Sequence, residues 1–245
     1  MPQAAPSPKL VALLREPTPL LVLTGAGVSR ESGIATFRDA GGLWEGVDPA
    51  EVATPEAFRS DPRRVWRFYD ARRRQGACAR PNPAHLAIAD LERTGRPFLL
   101  ATQNVDGLHE RAGSRSMVRL HGSLWRVRCT GCGDEWEDER PAIDPLPPSC
   151  ACGSLLRPAV VWFGEALPGP AFAQAQAMAR RASLCLVVGT SALVYPAAAL
   201  PEAALAAGAY VVEINPERTP LSPHASEVLS GAAGEILPAL LRAAA

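Results

Sequence analysis

Four cysteines fall in two tight pairs, Cys129-Thr130-Gly131-Cys132 and Cys150-Ala151-Cys152, with residues 133–149 between them. The spacing is close to that of a zinc ribbon, in which two C-x-x-C pairs lie about 15–20 residues apart. Four thiolates without a histidine complete a tetrahedral shell and leave no position for water, so such a site is structural. The second pair is one residue short, and Ser149 stands where the wider spacing would put a cysteine. The pattern predicts one Zn²⁺ on Cys129, Cys132, Cys150 and Cys152; unmetallated thiols are the alternative. Cys78 lies outside the cluster in a polar loop, and Cys185 falls inside an apolar run and reads as core.

A second candidate is the turn Thr24-Gly25-Ala26-Gly27, which follows the apolar run Leu20-Leu21-Val22-Leu23. Bare backbone there lets a pyrophosphate approach, with a helix N-terminus to receive its charge. The dehydrogenase fingerprint requires glycine at position 30, where this chain has Arg30. That departure argues against a hydride-transfer enzyme and keeps a plain tight turn open. Thr102-Gln103-Asn104-Val105-Asp106 follows the run Phe98–Ala101 directly. Amides and a carboxylate beyond a strand's carboxyl end suit hydroxyls and a carboxamide. His121-Gly122 follows the next run, and a histidine there is a general base, a cap or a core residue. His85, His109 and His224 have no comparable setting.

These groups need a scaffold, and the apolar runs supply one. Runs at 20–23, 97–101, 117–120, 160–162, 184–188 and 210–214 alternate with helical stretches at 62–75, 83–93, 170–181, 197–207 and 235–242. Three of those stretches open with proline, which suits a first helical turn. Continuous apolar runs read as parallel strands buried on both faces. Their alternation with helices predicts an α/β fold with a Rossmann-like, doubly wound parallel sheet. Two segments interrupt it. The glycine-rich stretch 33–54 has the length of a functional loop, and 122–157, with its four cysteines, reads as a small inserted zinc-ribbon module. The expected division is a large part over 10–121 and 158–245 and a small zinc-binding part over 122–157.

Composition excludes several classes. The 245 residues are 47% hydrophobic and 20% charged, a globular balance. No run approaches the roughly 18 apolar residues of a membrane helix. Lys+Arg and Asp+Glu are both 25, and that neutrality argues against direct nucleic-acid binding. Lys9 is the only lysine, a skew that with the 24 prolines suggests a GC-rich genome and says little about function. The first nine residues carry no apolar core behind a basic start, so a cytoplasmic location is expected.

In this order, Gly25-Ala26-Gly27-Val28-Ser29, Gly33-Ile34-Ala35-Thr36-Phe37-Arg38, Thr102–Asp106, His121-Gly122, the four cysteines, Leu156-Arg157-Pro158, Val161-Trp162-Phe163-Gly164-Glu165 and Gly189-Thr190-Ser191 resemble the sirtuin family, NAD-dependent protein lysine deacylases. The resemblance runs from about Leu20 to near the C-terminus. It implies a cleft between the two parts that NAD and an acyl-lysine peptide enter from opposite sides. It places Gly25, Ala26 and Gly27 at the pyrophosphate, with Phe37 and Arg38 over the cofactor. Gln103, Asn104 and Asp106 would hold the nicotinamide ribose and carboxamide. Gly189, Thr190 and Ser191 would contact phosphate and adenosine, and Asn215 the adenosine ribose. Val161, Trp162, Phe163, Gly164 and Glu165 would pair with the peptide as an added strand.

The implied chemistry is attack of the acyl oxygen on the ribose as nicotinamide leaves, with His121 as general base on a ribose hydroxyl. Free lysine and O-acyl-ADP-ribose result, and the zinc takes no part. Tyr69 and Arg72, at i and i+3 on one helix face, match a Y-x-x-R motif of the branch that removes acidic acyl groups. The resemblance therefore implies a preference for succinyl or malonyl over acetyl, with Ala40 leaving room in the pocket. Without the family, the pair reads as an ordinary surface pair beside Arg73 and Arg74. Arg30 and Thr36 depart from residues common in relatives, in the cofactor loop. Protein mono-ADP-ribosylation through the same NAD cleavage, and a non-catalytic zinc-ribbon module that senses NAD, are the competing readings.

Overall fold

The computed structural model describes residues 5–36 and 47–245; Phe37, Arg38 and Ala40 lie outside the described residues. In chain order the strands are β1 (Leu20–Thr24), β2 (Phe98–Thr102), β3 (Met117–Arg119), β4 (Gly122–Cys129), β5 (Glu135–Glu137), β6 (Leu156–Val160), β7 (Leu184–Val188), β8 (Tyr210–Asn215) and β9 (Glu227–Ser230). Six of them form a parallel sheet in the order β3-β2-β1-β7-β8-β9. Every residue of β1, β2 and β7 is buried, as continuous apolar runs require when both sheet faces are covered.

The helices are α1 (Pro8–Arg15), α2 (Pro49–Val52), α3 (Pro55–Ser60), α4 (Pro62–Cys78), α5 (Pro83–Arg93), α6 (Leu108–Ala112), α7 (Gly169–Ala179), α8 (Ala199–Ala206) and α9 (Ala233–Ala244). Strand alternation sorts them into two layers. Leu20 and Val22 pack with Leu10, Ile88 and Leu237 from α1, α5 and α9. Leu21 and Leu23 pack on the opposite face with Ala175, Ala179 and Leu200 from α7 and α8. Cys185 is fully buried in that second layer.

A second sheet, β5-β4-β6, is antiparallel. With α3 and α4 it encloses a third core that contains Phe58, Val65, Trp66, Val127, Leu156 and Trp162. The run at 160–162 is therefore not a strand of the main sheet. Strand β6 ends at Val160 and pairs with β4, because an apolar run does not specify which sheet it joins. Strand β9 and helices α1, α2, α3 and α6, all short or at an edge, have no counterpart among the runs and stretches of the sequence.

Candidate active site

The chain builds β1, β2 and β3 outward in one direction and β7, β8 and β9 in the other. The order reverses between β1 and β7, the position where open α/β sheets bind ligands. The glycine turn sits there, with Gly25 N–H donating to Val188 O at 3.1 Å and Gly27 N–H to Gly189 O at 2.8 Å. A Cβ on Gly25 would lie 2.7 Å from Thr190 Cβ, and one on Gly27 2.8 Å from Gly189 Cα. These glycines are thus required by the close passage of two backbone segments as well as by any ligand. A 3₁₀ helix, Ala26–Ser32, follows the turn in place of the α-helix expected for a dinucleotide motif.

Ends of four strands are tied together here. Gln103 Nε2 donates to Thr190 Oγ1 at 2.9 Å, and Asn215 Nδ2 to Thr190 O at 3.2 Å. Ser191 is half-buried beside them, followed by Ala192 with φ 54°, a left-handed conformation that L-residues rarely adopt. Such strain persists where the surroundings fix it, often at ligand sites.

Beneath this rim lies a buried polar network. Asn104 Nδ2 donates to Ser29 Oγ at 3.1 Å, and Ser29 Oγ donates to Asp106 Oδ2 at 2.8 Å. Burial raises the Asp106 carboxyl above its usual range, against hydrogen bonds from Leu108 and Ser29 that lower it. His85 Nδ1 accepts from Asn82 N–H at 3.3 Å, so its Nε2 carries the proton and faces Ser29 Oγ at 3.4 Å. Thr24 Oγ1 donates to Thr102 Oγ1 at 2.9 Å, so His109 Nε2 is the donor in its 3.0 Å contact with Thr24. The two imidazole centroids lie 4.7 Å apart, with the rings tilted 57° to each other.

Burial pushes His85 down to about 3, helped by His109, and burial pushes His109 down to about 4. Both are therefore neutral at pH 7. The unfolded chain binds protons on them below about pH 6.5 and the folded chain does not, so stability falls as pH falls from about 6.5 towards 3. Chemical denaturation from pH 7.5 to 4.5 should show a steady loss of stability, and His85→Asn should flatten that slope. An unchanged slope would exclude a buried neutral His85 as its source.

His121 follows β3 and is half-buried. Its Nδ1 lies 3.1 Å from Gln103 O. A carbonyl only accepts, so Nδ1 holds the proton and Nε2 presents a lone pair. Burial lowers the His121 pKa, partly offset by that hydrogen bond. The free base is thus the dominant form at neutral pH.

Tyr69 and Arg72 lie on α4. Tyr69 is buried, and its Oη accepts from Trp162 Nε1 at 2.9 Å. Its own proton remains available to another acceptor. Burial raises the Tyr69 pKa, with Trp162 and the Arg157 and Arg72 charges acting against it. Arg72 rests its guanidinium carbon 4.3 Å from the Phe68 ring centroid. Its Nε is buried and has no acceptor among the described residues.

The segment after β6 is internally braced. Val161 N–H donates to His121 O at 2.9 Å, Phe163 N–H to Ala53 O at 2.9 Å, and Trp162 N–H to Glu165 Oε2 at 2.8 Å. Glu165 accepts from Arg157 Nη1 and Nη2 at 2.5 and 2.9 Å, and Arg157 stacks on the Trp162 ring at 3.4 Å. Gly164 has φ 84°, and Phe163 is 53% exposed.

The four cysteine sulfurs lie within 4.8 Å of one another. Cys129 and Cys152 are 3.4 Å apart, and Cys132 and Cys150 3.8 Å. Zinc–thiolate bonds of about 2.3 Å imply tetrahedral edges of about 3.8 Å, so the set fits one structural Zn²⁺. A turn closed by Gly153 N–H on Cys150 O, with Gly153 at φ 88°, lets the shorter second pair complete the set. Cys129→Ala should lower metal content, Tm and, indirectly, activity; a metal-free protein that is folded and fully active would refute the structural role.

Sequence reasoning brought Gly25, Gly27, Gln103, Thr190 and Asn215 to one place, as the structure does. Thr24 and Thr102 fall inside the candidate turn and cluster, but their contact, like any role for His85 and His109, is not legible in the sequence. The one available signal was Pro83 preceded by Asn82, a helix cap whose third residue is His85, and that reads as local capping.

A model of the Sir2 family matches residues 25–196. An NAD-dependent protein deacylase of Pyrobaculum aerophilum is 54% identical over 90% of this chain and 89% of its own length. One from Archaeoglobus fulgidus is 52% identical over 96% of both chains. A solved Sir2 homologue in complex with NAD superposes with a TM-score of 0.92 at 49% identity, over 98% of this chain and 94% of that one. The chain belongs to the Sir2 family, the sirtuins. It is an NAD-dependent protein deacylase with a Rossmann-like sheet and a four-cysteine site suited to one structural zinc.

Proposed function

We propose that this deacylase acts preferentially on lysines that carry acidic acyl groups, succinyl or malonyl, and that Tyr69 and Arg72 recognise the terminal carboxylate. The carrying observation is the buried Arg72 Nε, which has no acceptor among the described residues, on the same helix face as a tyrosine whose hydroxyl proton has no acceptor among them either. A buried unpaired donor costs about 1–3 kcal/mol, which a carboxylate ligand would recover through charge-assisted bonds. Acetyl has no group to offer there.

The remaining roles accord with the site's layout. NAD, when bound, supplies the ribosyl carbon to which the acyl oxygen adds as nicotinamide departs. Gly25, Ala26 and Gly27 with Gly189, Thr190, Ser191 and Asn215 hold its phosphates and adenosine half. Gln103, Asn104 and Asp106 orient the nicotinamide half, with Ser29 and His85 bracing Asn104 and Asp106. His121 Nε2 takes the proton. Phe37 and Arg38, outside the described residues, complete the cofactor side. Because the N–H groups of Val161, Trp162 and Phe163 are already donated and Trp162 O accepts from Glu165 N–H, pairing with an acyl-lysine peptide falls to Val161 O and to Gly164, while Glu165 braces the segment through Arg157. The proposed division into a large part, 10–121 with 158–245, and a zinc-binding part, 122–157, follows the two separate sheets except at β6, whose last residues, 158–160, still pair with β4 in the small sheet. A cytoplasmic setting suits four thiols that must stay reduced.

The test is a side-by-side assay of succinyl- and acetyl-lysine peptides with NAD. A higher kcat/KM on the succinyl peptide is expected, and equal or lower values would overturn the preference.

A further inference from the structure

The helix that carries Tyr69 and Arg72 is sewn to the zinc-binding part along a neighbouring stripe. Trp66, Asp70 and Arg73, spaced i, i+4 and i+7, share one face of α4. Trp66 Nε1 donates to Leu156 O at 2.7 Å, and Asp70 Oδ1 accepts from Ile143 N–H at 2.8 Å. Arg73, 1% exposed, is the third stitch. Its Nε donates to Arg140 O at 3.0 Å, Nη1 to Leu124 O at 2.5 Å, and Nη2 to Arg140 O at 2.7 Å and Asp138 Oδ1 at 2.8 Å. Nη2 also meets Asp138 O.

Of the acceptors of Arg73 only the Asp138 side chain is charged. Its carboxylate, 5% exposed, is the counter-ion of a buried guanidinium. Arg140, largely exposed, packs its guanidinium on the outer side of the same carboxylate. Asp138 therefore fixes Arg73 while Arg140 fixes Asp138. The stripe 66/70/73 and the pair 69/72 are about 100° apart around one helix, so any roll or slide of α4 that relaxes Arg73 moves Arg72 and Tyr69 with it.

We propose that Asp138 is a positioning residue for acyl recognition: through Arg73 it sets the roll of α4 and thereby the place of Arg72 and Tyr69 against the acyl carboxylate. This rests on the acidic-acyl reading above. It adds that acyl selectivity is held from the small part, by Asp138 acting on a buried arginine of α4.

Breaking one partner of a buried ion pair leaves an uncompensated charge, and the chain shifts to expose it. Asp138→Asn keeps the side chain's shape and removes that counter-charge. Its expected signature is a split. KM for a succinyl-lysine peptide rises about five- to ten-fold, kcat at saturation stays within about two-fold, and both constants for the acetyl peptide stay within about two-fold. Arg73→Lys keeps the charge but loses the planar fork that holds three carbonyls, and should show the same split with a smaller loss of Tm. It serves as the second variant if Asp138→Asn does not fold.

The experiment measures kcat and KM for both peptides at saturating NAD, on zinc-loaded wild type and both variants, with Tm recorded alongside. A succinyl-selective rise in KM in either folded variant supports the inference. A succinyl-preferring wild type whose folded variants lose both activities equally, or neither, overturns the inference and leaves the acidic-acyl reading standing. A wild type that does not prefer succinyl overturns both.

Discussion

His121→Ala is expected to lower deacylation by about 10²-fold or more, the scale of a lost general base. The histidine is prepared for the task by its position. Its Nδ1–H is fixed on Gln103 O, and Gln103 is in turn held by Thr24 O and Thr190 Oγ1. That leaves Nε2 as the only basic atom. Burial lowers its pKa, so the acid limb of the kcat/KM profile should fall below the ordinary histidine value of about 6.5. NAD affinity should change far less in His121→Ala, because in the proposed role the ring moves a proton and does not anchor the cofactor. Nicotinamide release from NAD and acyl-peptide, measured from pH 5 to 9, reads both effects. Near-wild-type turnover in a folded His121→Ala protein would remove His121 from the chemistry, and an acid limb above 6.5 would contradict the effect of burial.

Much of this site was legible because sheet geometry makes it so. A strand buried on both faces must be apolar throughout, so Leu20–Leu23 and Leu184–Val188 identify themselves. The residues just after such a strand lie at its carboxyl end, and this places Gly25, Gln103 and Gly189 together from the sequence alone. Positions that depend on contacts between distant segments were not legible. Thr24 and Thr102 read as strand ends and become partners only through the register of β1 with β2. His85 reads as an ordinary helix residue until α5 packs Nε2 against Ser29. Arg73 looks like one of a run of surface arginines, Arg72-Arg73-Arg74, yet helix phase buries it while Arg74 stays exposed. The run at 160–162 shows the converse limit, since an apolar segment states that it is buried and not where.

Arg72→Met is expected to weaken desuccinylation by about 10- to 100-fold in kcat/KM, following about 1.4 kcal/mol per decade. A succinyl carboxylate must lose water to reach Arg72 Nε. Only a cationic donor already stripped of water offsets that loss, and bonds to charged groups contribute about 1.5–3 kcal/mol each. The Nε of Arg72 meets that description: it is buried, it has no acceptor among the described residues, and the guanidinium is steadied on the Phe68 ring. Methionine keeps the stem's apolar packing and removes the charge. Deacetylation should hold or improve, because a half-buried cation whose Nε has no acceptor among the described residues has gone. Tyr69→Phe separates recognition from packing less cleanly. It removes one donor to the carboxylate, but it also leaves Trp162 Nε1 without its acceptor inside the core, so it should lower Tm and reduce both activities, desuccinylation more. The comparison is both peptides against both variants at saturating NAD. Equal loss on acetyl and succinyl substrates in Arg72→Met would mean that Arg72 only supports α4, and the carboxylate assignment would then fail.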